Sequence, residues 1–593
     1  MHRPWARFDD LRTGSAVRCP PPREVLTAAR ADEVAAVLQR VHEATEAGSW
    51  AYGYVAYEAA AGLDPRLPGR DTAPGEPPLV WFGLCDEPTP VDPVTAPAPA
   101  APTAWLPDWT DEQHASAVAT VRERIAAGET YQCNVTDRLR GTVPGDPADL
   151  YARLALAQRG AHNAYLDLGR HVVASASPEL FLEWSGDVVR TRPMKGTATR
   201  GRTTAEDRER AEQLLSSAKE RAENLMIVDL LRNDLGRVAQ VGTVRVDELF
   251  ALERYPTVWQ LTSEVSARLR PGTGLLELFR ALFPCGSVTG APKQRTMELI
   301  ADLEPAPRGV YCGAVGLVGP PSAPVRARFN VAIRTVVLDR ATGRAVYGAG
   351  GGITWDSDAG RERAELHAKA AVLAHDVTEH RLLETLANEP ATGPRNLDRH
   401  LDRLVDSAAW CGFRCDRAAV EAAVRRAVAG AGPARVRVLL SRDGSVDVEL
   451  AALPPAASGP VRLALDDVPV DAADPWLQHK TTRRDVYLAA ALRHPEADDV
   501  VLVNQRGEVT ETTIASLAVR LDGRWWTPPT ASGCLPGVER DRLLDLGLLH
   551  ERVLRPEDLL AAEDLAVLSS LRGRRPATLV VRQPPGPALQ PIR

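Results

Sequence analysis

The stretch that decides the fold is "HVVASASPELFLEWSGDVVRTR", residues 171–192. It contains three short strand-like runs that are separated only by turn residues. Parallel neighbours need a crossover of a dozen or more residues, so runs this close together predict antiparallel strands. Helix-like runs occur elsewhere between 161 and 355. Together these patterns predict an α+β body rather than a doubly wound parallel sheet.

Length and composition limit the classes of protein to consider. A chain of 593 residues exceeds what one hydrophobic core supports, which predicts two or more domains. The formal net charge of -7, with acidic and basic residues interspersed, leaves no basic face for nucleic acid. The N-terminus lacks the apolar segment of a signal peptide, and no apolar run is long enough to span a bilayer. We therefore expect a cytoplasmic protein without membrane or nucleic-acid partners.

Two changes in composition and pattern along the sequence mark the predicted domain boundaries. The Pro/Ala-rich segment 86–105 disfavours helices and sheet ladders, and predicts a linker or surface excursion after an N-terminal subdomain of about 1–100. A second change follows "AHDVTEHR" at 374–381. The boundary predicted there divides the chain into domains 1–376 and 377–593.

Two pairs of glutamates have the spacing that puts both side chains on one helix face. "SAKERAENLMIVDLLRND" carries Glu220 and Glu223 at i, i+3, and "GRERAELHAK" carries Glu362 and Glu365 at the same spacing. Carboxylates that face one another need a cation between them, and oxygen ligands suit Mg²⁺. Either pair alone could equally be a solvated acidic face.

Glycine-rich segments lie between and beside these helices. "CGSVTGAPK" (285–293) and "GAGGGITWDSD" (348–358) allow the backbone to approach a ligand closely and to bind an oxyanion. "VAIRT" adds an arginine that can fork onto a carboxylate. The predicted substrate-binding residues are Ser287, Thr289, Gly290, Arg334, Gly350, Gly351, Gly352 and Lys369. Taken singly, each segment is also consistent with an ordinary turn.

The motifs in their order resemble one family. "SASPELF", "TRPMKGT", "SAKERAENLMIVDLLRND", "PCGSVTGAPKQRTMELI", "AIRT", "GGGITWDSD" and "AELHAKA" are similar to those of the chorismate-utilising enzymes, densely over 110–375 and more loosely before. The resemblance implies a sandwich of two sheets, chorismate as substrate, and Mg²⁺ held by Glu223 and Glu365 with Glu220 and Glu362 beside them. It implies that Arg334 and the glycine-rich segments hold the substrate carboxylates.

Within that family, the position of Lys195 separates two reactions. Enzymes that aminate chorismate at the ortho position, giving anthranilate, typically have alanine there. The resemblance implies that Lys195 attacks chorismate at C2 while the C4 hydroxyl leaves, and that Glu179 is the general acid/base. Gln260 stands where many members have histidine, and an amide cannot shuttle a proton. Because a lysine and not an alanine stands at position 195, amination at C4 is expected, with ortho amination as the alternative.

The nitrogen source is expected to be a second protein. No G-x-C-x-G nucleophile segment with a downstream His-x-Glu occurs in the chain. A separate glutaminase subunit that supplies ammonia is the predicted partner.

The C-terminal part resembles another group. "HLDRL", "LQHKTTRRD", "EVTETTIASL", "CLPGVERDRLL" and "LSSLRG" are similar to motifs of the fold-type IV pyridoxal-phosphate enzymes. The resemblance implies that Lys480 forms the Schiff base, Glu511 pairs with the pyridinium nitrogen, and Arg403 binds the phosphate. Backbone N–H groups around Val538, together with Ser570, would complete the phosphate site.

Two departures from that group are visible. Ser516 stands where an asparagine is usual, and the unit is short at its front. The first domain or a homodimer partner could supply a missing leading strand. The fold expected for the whole chain is thus α+β, a two-sheet sandwich followed by a smaller pyridoxal-phosphate α/β domain.

The combined expectation is a bifunctional enzyme that makes 4-aminobenzoate, with a lyase as second activity. An amino acid aminotransferase is the alternative for the C-terminal domain. A non-catalytic homologue is disfavoured because Glu179, Lys195, Glu223, Glu365 and Lys480 are all intact.

Overall fold

The computed structural model describes residues 3–98, 103–453 and 459–580. The chain divides into two compact units, one formed by Met1–Arg200 and Arg210–Thr378 and the other by Gly201–Glu209 and Glu379–Arg593. The sequence places Gly201–Glu209 in the first domain, whereas in the structure this short segment groups with the second unit.

The first unit is rich in short strands. They are β1 (Trp5–Asp10), β2 (Ser15–Cys19), β3 (Glu24–Ala28), β4 (Trp50–Val55), β5 (Val80–Cys85), β6 (Thr89–Val91), β7 (Leu106–Pro107), β8 (Gln132–Thr142), β9 (His162–Asp167), β10 (His171–Ser177), β11 (Leu180–Ser185), β12 (Val188–Arg192), β13 (Met194–Thr199), β14 (Arg245–Arg254), β15 (Val258–Arg268), β16 (Gly290–Ala291), β17 (Ala314–Val318), β18 (Ala327–Val331), β19 (Thr335–Asp339) and β20 (Arg344–Ile353).

These strands form two antiparallel sheets. The first sheet has the order β16-β8-β20-β19-β10-β9-β1-β2-β6, with β7 beside β8. The second has the order β13-β15-β12-β11-β18-β17-β4-β5-β3, with β14 beside β15. Leu166 and Val173 of the first sheet pack in one core cluster with Tyr52 and Trp81 of the second. The expected α+β sandwich of two sheets is therefore confirmed.

Two of the passages of the chain from one sheet to the other are neighbours in space. Between β10 and β11 the crossing contains Glu179, and between β18 and β19 it contains Arg334, which adopts a left-handed φ of 50°. The two crossings are hydrogen-bonded, because the amide of Val331 donates to the Glu179 carbonyl at 3.1 Å. The amide of Ala176 donates to the Arg334 carbonyl over the same distance. Both side chains are thereby fixed where the sheets meet.

Helices flank the sheets of this unit. They are α1 (Ala31–Glu46), α2 (Asp111–Ala126), α3 (Pro147–Gln158), α4 (Thr204–Ser216), α5 (Ala218–Gly236), α6 (Leu275–Leu282), α7 (Lys293–Leu303) and α8 (Ala359–Ala370). The first turns of α4, up to Glu209, belong to the second unit. The sequence predicts one helical run over 204–235, but α4 ends at Ser216 and Ser217 caps α5, where its hydroxyl accepts from the Glu220 amide at 3.3 Å. A serine cap of this kind starts a new helix.

Strands near the N-terminus join the main sheets. β1, β2 and β6 belong to the first sheet, and β3, β4 and β5 to the second, so the first hundred residues do not form a separate compact unit. Thr89–Val91, inside the segment predicted to avoid sheet ladders, pairs with β2. An edge strand tolerates Pro90 because one side of it needs no ladder hydrogen bonds. Residues 99–102 of this segment lie outside the described ranges.

The second unit contains twelve further strands among its described residues. They are β21 (Leu382–Glu389), β22 (Gly393–Pro394), β23 (Ala434–Leu440), β24 (Val446–Ala452), β25 (Val461–Leu465), β26 (Asp499–Val503), β27 (Val509–Thr512), β28 (Ser516–Leu521), β29 (Arg524–Thr527), β30 (His550–Glu551), β31 (Asp564–Ser569) and β32 (Gly573–Leu579). Its helices are α9 (Leu397–Cys411), α10 (Arg417–Val428), α11 (Asp485–Arg493), α12 (Val538–Asp545) and α13 (Pro556–Leu560).

Two sheets organise the second unit. One has the order β22-β21-β23-β24, and the other has the order β27-β26-β25-β32-β31-β28-β29-β30. The larger sheet is mixed, since β25 runs parallel to both β26 and β32. Within the described ranges of the whole chain, every helix is too short or too polar to cross a bilayer.

Candidate functional site

Lys195 lies on β13, at the edge of the second sheet, and lines a cavity of the first unit. Its amine lies against β20, where a side chain at Gly352 would place its Cβ only 2.3 Å from Lys195 Nζ. The next residue, Gly196, has φ of 100° and brings the strand close to Glu220, whose Oε2 would lie 3.1 Å from a Cβ there. Two glycines thus make room for the lysine and its neighbours.

Glu179 is buried and lines the same cavity. Its Oε1 accepts a 2.5 Å hydrogen bond from the Ser287 hydroxyl and a 3.8 Å contact from the Cys285 thiol. Burial raises the pKa of Glu179 to about 7, despite these donors and the positive charge of Lys195. Such a carboxyl can donate and accept a proton near neutral pH.

Four carboxylates from two helices line this cavity as well. Glu220 and Glu223 project from α5, and Glu362 and Glu365 from α8. Burial, together with the Glu223 carboxylate, raises the pKa of Glu220, and burial with Glu365 raises that of Glu362. The four side chains therefore repel one another when all are ionised.

Two lysines and a serine offset part of this repulsion. Lys369 Nζ lies 2.8 Å from Glu365 and lowers its pKa, and Lys219 Nζ lies 3.8 Å from Glu223. Ser357 donates to Glu362 at 2.6 Å. A set of four carboxylates that line one cavity offers the oxygen donors that suit a hard divalent cation such as Mg²⁺. The residues present are therefore compatible with the expected ion.

Arg334 lines the cavity from the second sheet crossing and is buried. Burial lowers the pKa of its guanidinium, which donates to the amide oxygen of Gln158. Among the described residues no carboxylate lies within ion-pair distance of it. A buried cation without an anion is suited to a carboxylate ligand.

The predicted glycine-rich segments contribute unequally. Of "CGSVTGAPK", only Ser287 and Val288 line the cavity. The Thr289 hydroxyl instead bonds the Cys285 carbonyl at 3.2 Å, and Gly290 pairs with β8, where a Cβ would lie 2.1 Å from the Gln132 carbonyl oxygen. These two residues shape the loop and do not face the cavity.

The second glycine-rich segment, on β20, lies closer to the site. Gly350 and Gly352 line the cavity, and Lys369 Nζ donates to the Gly350 carbonyl at 2.7 Å. A Cβ on Gly351 would lie 3.1 Å from Glu362 Oε2, so this glycine borders the carboxylates. Gln260 is buried, lines the cavity, and donates to the Thr197 hydroxyl at 3.0 Å.

One supporting residue was not anticipated. Arg308 is buried, and its two Nη atoms donate to the carbonyls of Val288 and Asn134, both at 2.7 Å. Glu304 accepts from the same guanidinium at 2.7 and 2.9 Å. Arg308 thus ties the Ser287 loop to β8. Its sequence context, "EPAPRG", looks like an exposed turn and carries no signal of burial.

Lys480 lies in the second unit and lines a cavity of about 560 Å³, within the range of ligand pockets. Burial, and next the charge of Arg403, lowers the pKa of its amine to about 8. Glu511 of β27 lines the same cavity, and burial raises its pKa to about 7. Tyr487 donates to Glu511 at 2.8 Å.

Arg403 is held in a buried ion-pair network. Its Nε and one Nη donate to Glu384 of β21 at 2.8 and 2.6 Å, and its other Nη donates to the Pro536 carbonyl at 2.9 Å. His400 Nδ1 lies 2.6 Å from the same carboxylate. Burial alone would raise the pKa of Glu384, but the charges and hydrogen bonds of Arg403 and His400 lower it to about 2. The guanidinium is therefore rigidly positioned at the cavity wall.

A helix start and a serine hydroxyl in the wall of this cavity suit a phosphate group. Helix α12 begins at Val538, and both Val538 and its cap Gly537 line the cavity. The Ser570 hydroxyl is buried there and has no hydrogen-bond partner among the residues that the structure describes. Free amides at a helix start and an unpaired hydroxyl are typical of phosphate sites. A Cβ on Gly537 would lie 2.2 Å from Ser516 Oγ, so a side chain there would displace the Ser516 hydroxyl. The residues present fit pyridoxal phosphate.

Sequence comparison agrees with this division. The family of chorismate binding enzymes matches residues 12–375, and class IV amino-transferases match residues 382–580. The chain belongs to the chorismate-binding enzyme family. Its C-terminal match implies pyridoxal phosphate as the cofactor of the second unit.

Several curated proteins are similar to the first unit. Anthranilate synthase component 1 of Streptomyces coelicolor is 44% identical over 280 residues, 47% of this chain and 54% of that protein. Aminodeoxychorismate synthase component 1 of Escherichia coli is 41% identical over 265 residues, 45% of this chain and 57% of that protein. The chain thus spans little more than half the length of these relatives.

A solved structure supports the fold of the first unit. Anthranilate synthase component I from Streptococcus pneumoniae superimposes with a TM-score of 0.53 and 26% identity, covering 63% of this chain and 92% of that one.

Proposed function

We propose that this chain converts chorismate to 4-aminobenzoate in two steps, amination at C4 in the first unit and elimination of pyruvate in the second. The observation that carries the proposal is the amine of Lys195, which lies over Gly352 in the cavity that also contains Glu179 and four carboxylates. A nucleophile, a proton donor and a cation site are the three parts that the amination needs.

In the first step the amine of Lys195, in its unprotonated form, attacks ring carbon C2, both ring double bonds shift by one position, and the C4 hydroxyl leaves. Glu179, protonated up to about pH 7, gives that hydroxyl its proton and releases water. Ammonia then adds at C4, and the bond between C2 and Lys195 breaks. Arg334 is suited to orient a carboxylate of the substrate. Mg²⁺ held by Glu223 and Glu365, with Glu220 and Glu362 beside it, would neutralise the ring carboxylate.

Ammonia is expected from a separate glutaminase. Relatives of the first unit carry names ending in "component 1", which agrees with a second component in their complexes. We propose the same kind of partner here, and a homodimer through the second unit as one further assembly to test by light scattering.

In the second step pyridoxal phosphate would supply an electron sink for the carbon that bears the nitrogen. Lys480 is suited to remove the proton at ring carbon C4, because its pKa of about 8 leaves a usable fraction of free amine. The bond from the ring to the enolpyruvyl oxygen then breaks, and the leaving group takes a proton to become pyruvate. Glu511 is suited to pair with the ring nitrogen of the cofactor, and Arg403, Val538 and Ser570 with its phosphate.

Ortho amination to anthranilate is the competing function for the first unit. It is favoured by the 44% identity to an anthranilate synthase component. Lys195 argues against it, because a nucleophile at ring C2 occupies the carbon that ortho amination would have to use. For the second unit, an amino acid aminotransferase is the competing function.

Product analysis tests the proposal. The purified chain is incubated with chorismate, ammonium, Mg²⁺ and pyridoxal phosphate, and the products are separated. We expect 4-aminobenzoate and pyruvate in equal amounts; anthranilate as the main product would refute the proposal. Lys195→Ala should abolish all amination, and Lys480→Ala should stop at the aminated intermediate.

A further inference from the structure

The cavity around Lys480 is lined by an excess of arginines. Several of them already have partners: Arg403 binds Glu384, Arg437 lies 3.0 Å from Glu449, and Arg484 donates to the Thr513 carbonyl. Three others, Arg435, Arg572 and Arg575, line the same cavity, and among the described residues none has a carboxylate within ion-pair distance.

Two of these three guanidinium groups have buried nitrogens without acceptors. Nε of Arg435, on β23, and Nη2 of Arg572, in the turn between β31 and β32, are shielded from solvent and make no hydrogen bond to any residue in the described ranges. Leaving a charged donor desolvated and unpaired is unfavourable. Three of the arginines in this concave site have no carboxylate within ion-pair distance among the described residues, which indicates that the ligand brings negative charge to them.

We propose that Arg435 and Arg572, assisted by Arg575, form a binding site for the two carboxylates of a dicarboxylate substrate whose amino group faces Lys480. The inference rests on the proposed function and deepens it, because the aminated form of chorismate carries two carboxylates. A monocarboxylate amino acid would leave at least one guanidinium unpaired. The cluster thereby selects against ordinary neutral amino acids.

The substrate carboxylates need a binding site separate from Arg403. Arg403 is fixed by Glu384 and Pro536, and lies where the cofactor phosphate is expected, so it is not available to a substrate carboxylate. Within the part of the chain that the structure describes, Arg435 and Arg572 have no such partner. A forked guanidinium binds a carboxylate through two parallel hydrogen bonds, which also fixes the orientation of the substrate.

Binding of inert aromatic acids to the full chain loaded with pyridoxal phosphate tests the proposal. The probes are isophthalate, with two carboxylates, and benzoate, with one, and the readout is the change in visible absorbance of the bound cofactor. We expect isophthalate to bind at least about tenfold more tightly than benzoate. Arg435→Met and Arg572→Met should weaken isophthalate binding by about 10- to 100-fold.

Arg574→Met is the matched control. Arg574 is adjacent to Arg572 and Arg575 in sequence, but it is exposed, lies over the Trp525 ring at 5.0 Å and does not line the cavity. It should bind isophthalate as the parent does. If a methionine variant no longer holds the cofactor, the Arg→Lys variant, which keeps the charge and loses the fork, should still show weakened isophthalate binding.

The outcomes separate this proposal from the function on which it rests. Equal binding of isophthalate and benzoate, or parent-like isophthalate binding by both methionine variants, would overturn the arginine site. If the site binds isophthalate as expected but the loaded chain forms no 4-aminobenzoate, the arginine site stands and the lyase assignment fails. If both variants form 4-aminobenzoate with parent kinetics, the lyase assignment stands and the arginine site fails.

Discussion

The Ser287 hydroxyl donates a 2.5 Å hydrogen bond to Oε1 of Glu179, and both residues are buried in the first cavity. A donor to a carboxylate stabilises its ionised form and so opposes the effect of burial. Ser287→Ala should raise the pKa of Glu179 above about 7, by roughly one unit for a hydrogen bond to a charged group.

The measurement for this variant is the pH dependence of kcat/KM for chorismate with ammonium. Because the protonated carboxyl is the proposed acid, the alkaline limb of the profile should move to higher pH. Ser287→Thr keeps the hydroxyl and should restore the parent profile. A lower rate with an unmoved limb would mean that Ser287 acts on the substrate instead.

Gly352→Ala should separate activity from stability in the first unit. The added Cβ would meet the ends of two flexible side chains, Lys195 Nζ at 2.3 Å and Gln132 Nε2 at 2.1 Å, so both can move aside. We expect an amination rate lower by about 10²-fold, as when a reacting group is displaced by an ångström, with little change in the unfolding temperature. Gly360→Ala, in α8 with its nearest contact at 3.4 Å, is the control and should keep full activity.

Removal of one carboxylate should weaken binding of Mg²⁺. Glu223→Gln and Glu365→Gln are each expected to reduce the affinity measured by isothermal titration by at least about tenfold. Glu298→Gln, on the exposed side of α7, should have no effect. Since burial and neighbouring carboxylates raise the pKa values of Glu220 and Glu362, the affinity of the parent for Mg²⁺ should also fall as the pH is lowered from neutral. Unchanged affinity in both variants would exclude this cluster as the ion site.

Glu384 should make the second unit sensitive to acid. Its pKa is about 2 in the folded protein against an ordinary value of 4.5, so its contribution is fully present above pH 4.5 and is lost as pH falls towards 2. The difference corresponds to about 3 kcal/mol of unfolding free energy. Glu384→Gln should cost about 3–5 kcal/mol at pH 7, because Arg403 and His400 lose their buried partner.

Calorimetry of the apo protein from pH 7 to 3 checks this expectation. The variant should have a lower unfolding temperature than the parent at pH 7. Its unfolding temperature should also fall less than that of the parent as the pH is lowered to 3. Glu449→Gln breaks a more exposed pair with Arg437 and should cost no more than about 1 kcal/mol. Parallel declines for parent and Glu384→Gln would disprove the assignment.

The sequence predicted the positions of the strands well, but not which sheet each strand joins. The runs 171–177 and 188–192 are strands as expected, but hydrophobic alternation cannot reveal that the chain changes sheets between β10 and β11. The continuous run "VRARFNVAIRTVVL" likewise divides at Arg334, where a left-handed φ is adopted by a residue other than glycine and leaves no mark in the pattern.

The same reasoning applies to the sites. Lys195, the four glutamates and Lys480 stand out in the sequence because they lie in motifs. In the structure Lys195 and the four glutamates line the cavity of the first unit, and Lys480 lines that of the second. Arg308 and the unpaired arginines of the second unit were missed, because an arginine in a turn or on a strand is usually solvated. Their significance depends on burial and on absent partners, which only tertiary structure can supply.

The segment Gly201–Glu209 has a practical consequence for dissection of the protein. Because the chain enters the second unit there, returns to the first at 210 and leaves it again after 378, the backbone passes between the units three times. The Trp410 indole donates to the Gly201 carbonyl at 2.8 Å, so a fragment that starts at 379 would lack part of its own packing. Separating the two activities by truncation would therefore damage the second half, and point variants are the sounder way to silence one reaction while keeping the other.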